Sequence, residues 1–487
     1  MSDSAIRARA HRLSWQFALP VFAGALVFVL MIVAGGRLLN DPDIYWHITV
    51  GNWIAAHRAF PHADPFSLTM AGKPWIAKEW ASQLIFAAAY QVGGWNGIVA
   101  AAAAAIALTF ALLERFLARE LSPVPAFVLA MAALLLAAPH LVARPHVLAM
   151  PFMILWSGGL IAAADRVRAP SAALLPLMIA WANLHAGFTF GLALAIPLAV
   201  ECVWRAKPRD RRHVAMLWLR FIALAFVAAC MTPYGPQSML TTFSVLGLGP
   251  ALQIVNEWKP QDFTHIGAFE IALLGAIGFA LHRGIKLPLM RLVLTLGLLH
   301  MALAHVRNSE LLALIAPMVV ARPLNAQLGA HAKENRDSDI GFAPLSSRAI
   351  LAVVLVSLGA FAWLASALVE RSPSKSASPK GAVDAINAAH ISRVLNDYDF
   401  GGYLVARGLR PFIDGRTELY GGKFTAQENA AVTLEDLSGF LKILDQYDIQ
   451  ATLLNPARPA NALLDRLPGW RCLYADDIAV VYARSAP

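Results

Sequence analysis

Long uncharged apolar segments constrain this chain more than any other feature of its sequence. The first, residues 15–36, contains 22 residues and no ionisable side chain, and about 20 apolar residues suffice to cross the hydrocarbon core of a bilayer. It lacks a small-residue cleavage site before Arg37, so we expect a retained helix rather than a signal peptide. Only 15% of the 487 residues are charged, against about a quarter in soluble proteins. The sequence therefore predicts a polytopic membrane protein.

The basic residues, which give a net charge of +9, lie mostly in short loops between the apolar segments. Lys and Arg in such loops mark the cytoplasmic side of a membrane, so we interpret them as topology signals rather than as a nucleic-acid surface. Arg7, Arg9 and Arg12 place the N-terminus in the cytoplasm. Counting crossings from there predicts about 11 spans and a C-terminal segment on the external side. Within the uncharged residues 80–113, a surface helix is expected first and a span from about residue 97.

The composition changes near residue 372. Residues 372–380 are rich in Ser, Pro and Lys and are expected to form a linker. Beyond the linker, strand and helix patterns alternate, which is typical of an α/β sheet. The sequence predicts a helix at residues 434–447 and strands at residues 391–396, 411–414, 451–455 and 478–484.

These segments together predict a mainly α fold. Residues 1–371 are expected to form a polytopic membrane helical bundle, in which residues 39–95 are the first external loop. Residues 381–487 are expected to form a small soluble α/β domain outside the membrane.

Two aspartates follow the first span directly, in the stretch NDPDIYWH. Asp41 and Asp43 flank a single proline. Two carboxylates this close could hold a divalent cation such as Mg²⁺ or Mn²⁺, or act as a base and its supporting carboxylate. An aspartate before a helix could instead simply cap the free N–H groups, and Asp43 is the candidate cap of the helix that follows.

Other polar side chains are concentrated in the loops predicted to be external, where polar groups at a membrane edge tend to line functional cavities. Arg144, His146 and Arg307 could reach lipid headgroups or clamp a lipid phosphate, which the forked guanidinium suits. Lys78 could pair with Glu79 or hold a phosphate. The candidate substrate-binding residues are His47, Asp64, Lys78, Glu79, Arg144, His146, Asn183, His185, Tyr234 and Arg307.

In the C-terminal domain, the stretches NDYDFGGYL and FIDGRTELYGG follow predicted strands, where ligand-binding loops of α/β sheets collect. Turn formation explains their glycines and aspartates equally well. If these loops bind an acceptor, we expect it near Tyr403, Asp414 and Arg416. Neither a G-x-x-x-x-G-K-[ST] phosphate loop nor a G-x-S-x-G nucleophile motif occurs in the sequence.

Several of these stretches together resemble a known superfamily. The segment DPDIYWHITVGNWI, the segment FPHADPFSLTMAGKPWIAKEWASQLIF, the motif WANLHAGF and the two C-terminal stretches are similar to a bacterial group within the GT-C integral-membrane glycosyltransferases. The resemblance implies a donor sugar linked to a polyprenyl phosphate or diphosphate. It also implies that an aspartate of the first external loop acts in catalysis, a role that falls on Asp43 or Asp41.

The expected function is therefore sugar transfer at the external face of a bacterial inner membrane. The donor's phosphate would meet Arg144, Arg307 or Lys78 while its lipid lies among the helices, and Asp43 would take the proton of the acceptor. The acceptor would be a glycan, a lipid or a protein. The alternative is a non-catalytic lipid-sugar transporter, scramblase or cell-envelope assembly factor. A transporter should carry deep charges and internal repeats, and their scarcity favours the enzyme.

Overall fold

The fold is described from a computed structural model for residues 3–247, 249, 256–328 and 347–485. Residues before the C-terminal domain form a bundle of helices. Their bounds are α1 Asp3–Val33, α2 Gly35–Leu38, α3 Asp43–His57, α4 Trp80–Glu120, α5 Pro123–Ala137, α6 Pro145–Asp165, α7 Leu175–Leu184, α8 Phe188–Arg205, α9 Arg211–Ala229, α10 Gln237–Leu246, α11 Ala268–Arg283, α12 Leu289–Ala304, α13 Ser309–Leu328 and α14 Ser347–Leu368.

Seven helices of the described residues are long and apolar enough to cross a membrane, where the sequence predicts about 11 spans. They involve α4, α5, α6, α8, α9, α13 and α14. The other predicted spans correspond to α11 and to three shorter apolar helices, Ala18–Val33 of α1, Ala172–Leu184 and Leu289–Ala304. Helix α11, Ala172–Leu184 and Leu289–Ala304 are each shorter than the ~20 residues that a perpendicular crossing needs, whereas α1 as a whole has 31 residues. The protein is thus a multi-pass membrane protein whose bundle mixes long and short helices.

Helix α4 is broken where the sequence analysis expects a surface helix to give way to a span. Gly93 and Gly94 leave helical geometry, and Gly94 has a φ of 55° and a ψ of −143°. Glycine tolerates this left-handed region because it has no Cβ. The part before the break packs against α3, and the part after it packs against α1 and α6.

A buried ion cluster joins three helices of the bundle. Arg291 of α12 donates to Asp165 of α6 at 2.9 Å and to Glu201 of α8 at 2.6 Å. Arg291 is only 1% exposed, so its charge needs both carboxylates as partners. The cluster fixes the relative positions of these helices.

The C-terminal domain contains a four-stranded mixed sheet with the order β1-β2-β4-β3. β1 and β2 run parallel, whereas β4 is antiparallel to both of its neighbours. Its elements are α15 Lys380–Ala388, β1 Val394–Asn396, α16 Gly401–Ala406, α17 Thr417–Val432, α18 Leu437–Gln446, β2 Ala451–Leu454, α19 Ala460–Leu464, β3 Trp470–Ala475 and β4 Val480–Arg484.

Three predicted strands and the predicted helix are confirmed by β1, β2, β4 and α18, but the strand predicted at residues 411–414 is wrong. The backbone of that segment bonds elsewhere. The N–H of Phe412 donates to the Asn396 side chain, and the Pro411 carbonyl accepts from the N–H of Leu68. Because these groups already have partners, they do not join the sheet. The fourth strand of the sheet is the edge strand β3, which was not predicted.

The C-terminal domain packs on the first loop of the bundle. Arg416 donates to Asp64 and to Asp414 at 2.6 Å each, and all three side chains are fully buried. The hydroxyl of Thr69 donates to the Phe412 carbonyl at 2.7 Å. The linker also makes a contact, because the hydroxyls of Tyr45 and Ser378 lie 2.6 Å apart.

Candidate active site

A cavity of about 510 Å³ lies where the bundle meets the C-terminal domain. The cavity is lined by residues at the starts of α3, α6 and α13, just before α4 and at the end of α7. The C-terminal domain adds residues just before α16 and at the start of α17. Nine of the twelve residues that the sequence singles out line it, namely Asp41, Asp43, His47, Lys78, Glu79, Arg144, His146, His185 and Arg307.

The two aspartates occupy different positions at the start of α3. Asp41 precedes the helix, and its Oδ1 accepts the N–H of Asp43 at 2.9 Å. The N-cap residue is Pro42, and Asp41, one residue before it, satisfies the free N–H of the first helical residue, whereas the Asp43 side chain is left to contact Arg144.

Arg144, at the N-terminal end of α6, contacts three carboxylates. Its Nε lies 3.3 Å from Asp41, its Nη2 contacts Asp43, and its Nη1 lies 2.6 Å from Glu257. Each of the three acids lies more than 100 residues from Arg144 in the chain. A forked guanidinium can satisfy several carboxylates at once, which an ammonium does less well.

The pKa values of the three acids diverge. Burial raises the pKa of Asp41 to about 7 and also raises the pKa of Asp43, and Arg144 offsets only part of this. Burial acts in the same direction on Glu257, but Arg144 and Arg307 outweigh it and lower its pKa to about 2. Glu257 is therefore the permanent counter-ion. A carboxyl group with a raised pKa is better suited to exchange a proton near neutral pH.

A divalent cation at Asp41 and Asp43 is poorly matched to this arrangement. The carboxylates already share the Arg144 guanidinium. Throughout the described ranges, no group of three or more His, Cys, Asp or Glu side chains is arranged to hold a metal ion. These residues therefore do not fit a divalent cation.

A second set of titratable groups lies in the same cavity. His185 Nε2 is 3.6 Å from Glu79, and His146 Nε2 is 3.4 Å from Glu310. The two imidazole rings are 6.1 Å apart, edge to face. Burial raises the pKa of Glu79 to about 7. Burial, with nearby positive groups, lowers the pKa of His185 well below its usual range, so this imidazole is neutral.

The cationic side chains of the cavity are paired but differ in accessibility. Lys78 pairs with Glu418 of the C-terminal domain at 3.0 Å rather than with Glu79. Arg307 donates to Glu257 at 3.0 Å and lies over the ring of Trp258. The Arg307 side chain is 31% exposed, against 23% for Arg144 and 13% for Lys78. Arg307 is thus the cation most open to an incoming anion.

Asp64, Asn183 and Tyr234 lie outside the cavity lining and bind other parts of the protein. Asp64 pairs with Arg416, as described above. Asn183 accepts from the Trp80 indole at 2.7 Å, and the Tyr234 hydroxyl accepts from the N–H of Ala77 at 3.1 Å. Because these polar atoms are used within the fold, we leave the three residues out of the proposed site.

The C-terminal domain contributes to the cavity, although not through the residues first considered. Tyr403, Asp414 and Arg416, near which we expect an acceptor, are buried and do not line the cavity themselves. Their neighbours line the cavity instead: Tyr398, Gly415, Thr417 and Glu418. Gly415 packs against Asp43 so closely that a Cβ there would overlap with the carboxylate.

These four residues of the C-terminal domain were not predicted from the sequence, and neither were Glu257, Trp258 and Glu310, which also line the cavity. Glu257 and Trp258 stand in the polar stretch NEWKPQDF of a predicted external loop. Their position in a predicted external loop could have suggested them, but nothing in the neighbouring sequence distinguishes them from ordinary loop residues.

Comparison with known proteins identifies the fold. No protein-family model matches the sequence, and neither does any curated protein. The archaeal oligosaccharyltransferase AglB from Archaeoglobus fulgidus, solved with an inhibitory peptide and a dolichol-phosphate, is 12% identical with a TM-score of 0.57. The match covers 91% of this chain and 69% of that one. The chain has the GT-C fold.

Two further structures are similar. The apo form of the same oligosaccharyltransferase has a TM-score of 0.56 at 12% identity, covering 90% of this chain and 69% of that one. ArnT from Cupriavidus metallidurans, bound to undecaprenyl phosphate, has a TM-score of 0.48 at 16% identity. That match covers 96% of this chain and 99% of ArnT.

Proposed function

We propose that this protein is a membrane glycosyltransferase that moves a sugar from a polyprenyl-phosphate-linked donor to an acceptor. The supporting observation is the convergence of Asp43, Asp41, Arg144 and Arg307 on one cavity at the helix ends of a GT-C fold. AglB, which shares this fold, was solved with a lipid phosphate. Membrane lipid surrounds the bundle, and the donor's isoprenoid chain lies among its helices.

The proposed reaction is a single displacement with inversion at the anomeric carbon. An acceptor hydroxyl oxygen forms a bond to that carbon while the bond from the carbon to the donor phosphate breaks. The acceptor proton passes to Asp43, and Arg144 stabilises the carboxylate before the transfer. Asp41 keeps α3 capped and shares Arg144. The leaving phosphate carries away the bonding electron pair.

Arg307 is the proposed partner of the departing phosphate. It is the most exposed cation of the cavity, and stacking on Trp258 holds its guanidinium in place. Positive groups placed where negative charge develops are a large source of rate enhancement. We place the site on the periplasmic or extracellular face of a bacterial inner membrane, because the basic loops predict a cytoplasmic N-terminus.

The test is sugar transfer from a polyprenyl-phosphate donor by the purified protein. Asp43→Asn keeps the size of the side chain but removes the proton acceptor, so we expect transfer to fall roughly 10²- to 10⁴-fold. Asp41→Asn keeps a capping oxygen and should reduce transfer less.

The exposed pair of Asp445 and Arg484 supplies the control, since Asp445 does not line the cavity and Asp445→Asn should leave transfer unchanged. Thermal unfolding of each variant establishes that it is folded. Full activity in a folded Asp43→Asn protein would show that Asp43 is not the base.

A further inference from the structure

The C-terminal domain contacts the segment that carries the proposed base. Gly415, in the loop before α17, packs against the Asp43 carboxylate, and a Cβ at this position would overlap with both carboxylate oxygens. Asp43 is only 8% exposed. Its carboxylate therefore has two neighbours from distant parts of the chain, Arg144 of α6 and Gly415 of the C-terminal domain.

Close approach, rather than backbone conformation, requires a glycine at position 415. Gly408 and Gly421 of the same domain have φ angles of 76° and 75°, in the left-handed region that favours glycine. The backbone of Gly415 does not lie in that region. An alanine at position 415 can thus adopt the same backbone, and its cost comes from its contact with Asp43.

The loop that carries Gly415 is fixed on both sides of this glycine. Its neighbours Asp414 and Arg416 form a bidentate ion pair, in which Arg416 Nε and Nη2 donate at 2.9 and 2.6 Å. Arg416 also donates to Asp64 of the first external loop at 2.6 Å. The Tyr420 hydroxyl donates to Asp414 at 2.8 Å. Because all of these side chains are buried, they hold Gly415 in place.

Helix α16 contacts the same segment independently. A Cβ at Gly402 would lie 2.6 Å from the Pro42 carbonyl oxygen, so the backbone of α16 is nearly in contact with the residue before Asp43. The ring of Tyr403 lies edge-on to the ring of Tyr45, with centroids 5.0 Å apart. The C-terminal domain therefore packs on the start of α3 through two separate elements.

The contact with Gly415 limits the orientations that the Asp43 carboxylate can take. An aspartate that contacts only a guanidinium can still rotate about its side-chain bonds, and the backbone of Gly415 occupies space into which this carboxylate could otherwise turn. Catalytic groups have to be held within about 0.5 Å of the productive geometry. A misplacement of about 1 Å can reduce the rate roughly 10²-fold.

We infer that the C-terminal domain is part of the catalytic centre, and that Gly415 is a positioning residue that holds the Asp43 carboxylate where it can take the acceptor proton. Asp43 is the base in the proposed function, on which this inference rests. A methyl group at position 415 would displace the carboxylate but leave Arg307, the proposed partner of the donor phosphate, unchanged. Turnover should therefore fall while binding of the donor persists.

The experiment compares Gly415→Ala with Gly402→Ala in full-length protein in lipid nanodiscs. Turnover is followed as release of the lipid phosphate from polyprenyl-phosphate-linked glucose, mannose and N-acetylglucosamine, with bacterial envelope extract as the acceptor. We expect Gly415→Ala to lower kcat by about tenfold or more and to change the KM for the donor less than about twofold. Gly402→Ala is the matched control, because its methyl group meets the Pro42 carbonyl rather than the carboxylate, and it should lower kcat less.

Two further variants show whether Gly415 acts through Asp43. Adding Gly415→Ala to Asp43→Asn should cause no further loss, because the base that it displaces is already gone, whereas independent effects would multiply. Asp43→Glu leaves the C-terminal domain unaltered and lengthens the side chain against Gly415, so kcat should fall although a carboxylate is retained. This variant tests the same contact if Gly415→Ala does not fold. Limited proteolysis in residues 372–380 shows whether the domain stays docked in each variant.

Each other outcome overturns a specific statement. Wild-type turnover in folded Gly415→Ala, or a further loss in the double variant, would overturn the positioning role and leave the glycosyltransferase intact. An equal loss in Gly402→Ala, with equal cleavage of the linker, would assign the effect to docking alone and overturn that role too. No turnover by the wild-type protein with any of the three donors would overturn the proposed function and, with it, the role of Gly415.

Discussion

At the scale of single residues, Asp41 and Asp43 show how one position decides a role. They differ by two places in the chain and share Arg144. Only Asp41 stands before the helix, so only its oxygen reaches a free N–H. Asp43 lies in the first turn of the helix, and its side chain does not cap it. The Asp41 side chain thus meets a free N–H at the start of the helix, and the Asp43 carboxylate is left to contact Arg144.

Glu428 of α17 is a buried carboxyl group whose effect on the stability of the protein can be tested. It is 3% exposed, and its Oε1 has no partner among the described residues. Burial and the nearby Asp397 outweigh Arg458 and raise the pKa of Glu428 to about 8. Between its ordinary pKa of 4.5 and this value the folded protein binds more protons than the unfolded chain. The contribution of Glu428 to the free energy of unfolding is therefore fully present below pH 4.5 and is lost as the pH rises through 8.

We expect Glu428→Gln to raise the melting temperature more at pH 9 than at pH 6, because the amide cannot ionise. The measurement is thermal unfolding in detergent across this pH range. Glu435→Gln is the matched control, since Glu435 lies exposed in the same domain. A wild-type pH profile that Glu428→Gln leaves unaltered would contradict the assignment.

At the scale of elements, α3 and α4 are packed as closely as glycine permits. A Cβ added at Gly51 would overlap with the backbone carbonyl of Gln83 in α4. Gly51→Ala must push α3 away, and overpacking of this kind costs about 1–3 kcal/mol. Because α3 begins at Asp43, we expect transfer activity to fall along with stability. Thermal unfolding and transfer rate measure the two effects.

Gly297 of α12 is the control for this substitution. A Cβ there meets no atom within 4 Å, and alanine is the better helix former. Gly297→Ala should therefore leave activity unchanged and stability equal or slightly higher. If Gly51→Ala behaves in the same way, the contact between α3 and α4 does not position Asp43.

At the scale of the whole molecule, one buried ion pair joins the C-terminal domain to the bundle. Asp64→Ala removes a partner of the fully buried Arg416 and leaves only Asp414. Breaking a buried pair in this way costs about 3–5 kcal/mol, less whatever Asp414 compensates. We expect the domain to undock, which limited proteolysis in residues 372–380 would reveal. Because Glu418 and Gly415 belong to the cavity, transfer should fall as well.

The control is the exposed pair of Asp445 and Arg484, whose side chains are 73% and 41% exposed. Exposed pairs contribute about 0–1 kcal/mol, so Asp445→Ala should not increase cleavage. Equal cleavage of Asp64→Ala and wild-type protein would show that the remaining contacts hold the domain in place.

The orientation of the molecule in the membrane is a separate prediction. Ser376 and Arg209 are both exposed, and the basic loops predict that they lie on opposite sides. In a Cys472→Ser background, an impermeant thiol reagent added to intact cells should modify Ser376→Cys and spare Arg209→Cys. Permeabilised cells should label both. Labelling at position 209 in intact cells would reverse the orientation and move the site to the cytoplasm.

The sequence alone determined that the chain enters a membrane and which polar residues stand at the helix ends. Apolar length and loop charge act locally along the chain, so they can be read without knowing the packing. Counting crossings also assigns helix ends to one side, and nine of the predicted residues do line one cavity. The broken α4 and the strands β1, β2 and β4 could be recognised for the same local reason.

The tertiary structure alone decided which of these residues are partners. Arg144 meets Glu257 and Lys78 meets Glu418 across more than 100 residues of chain, and no local pattern indicates such pairs. Burial is likewise a property of the neighbours: Asp64 and Arg416 are enclosed only because the C-terminal domain docks on the first loop. The first loop bonds to the carbonyls of Pro411 and Phe412, and Asn396 of the same domain bonds to the Phe412 N–H and the Ile413 carbonyl, so this segment forms no strand. Charge and hydropathy belong to a residue, whereas pairing and burial belong to the packing that surrounds it.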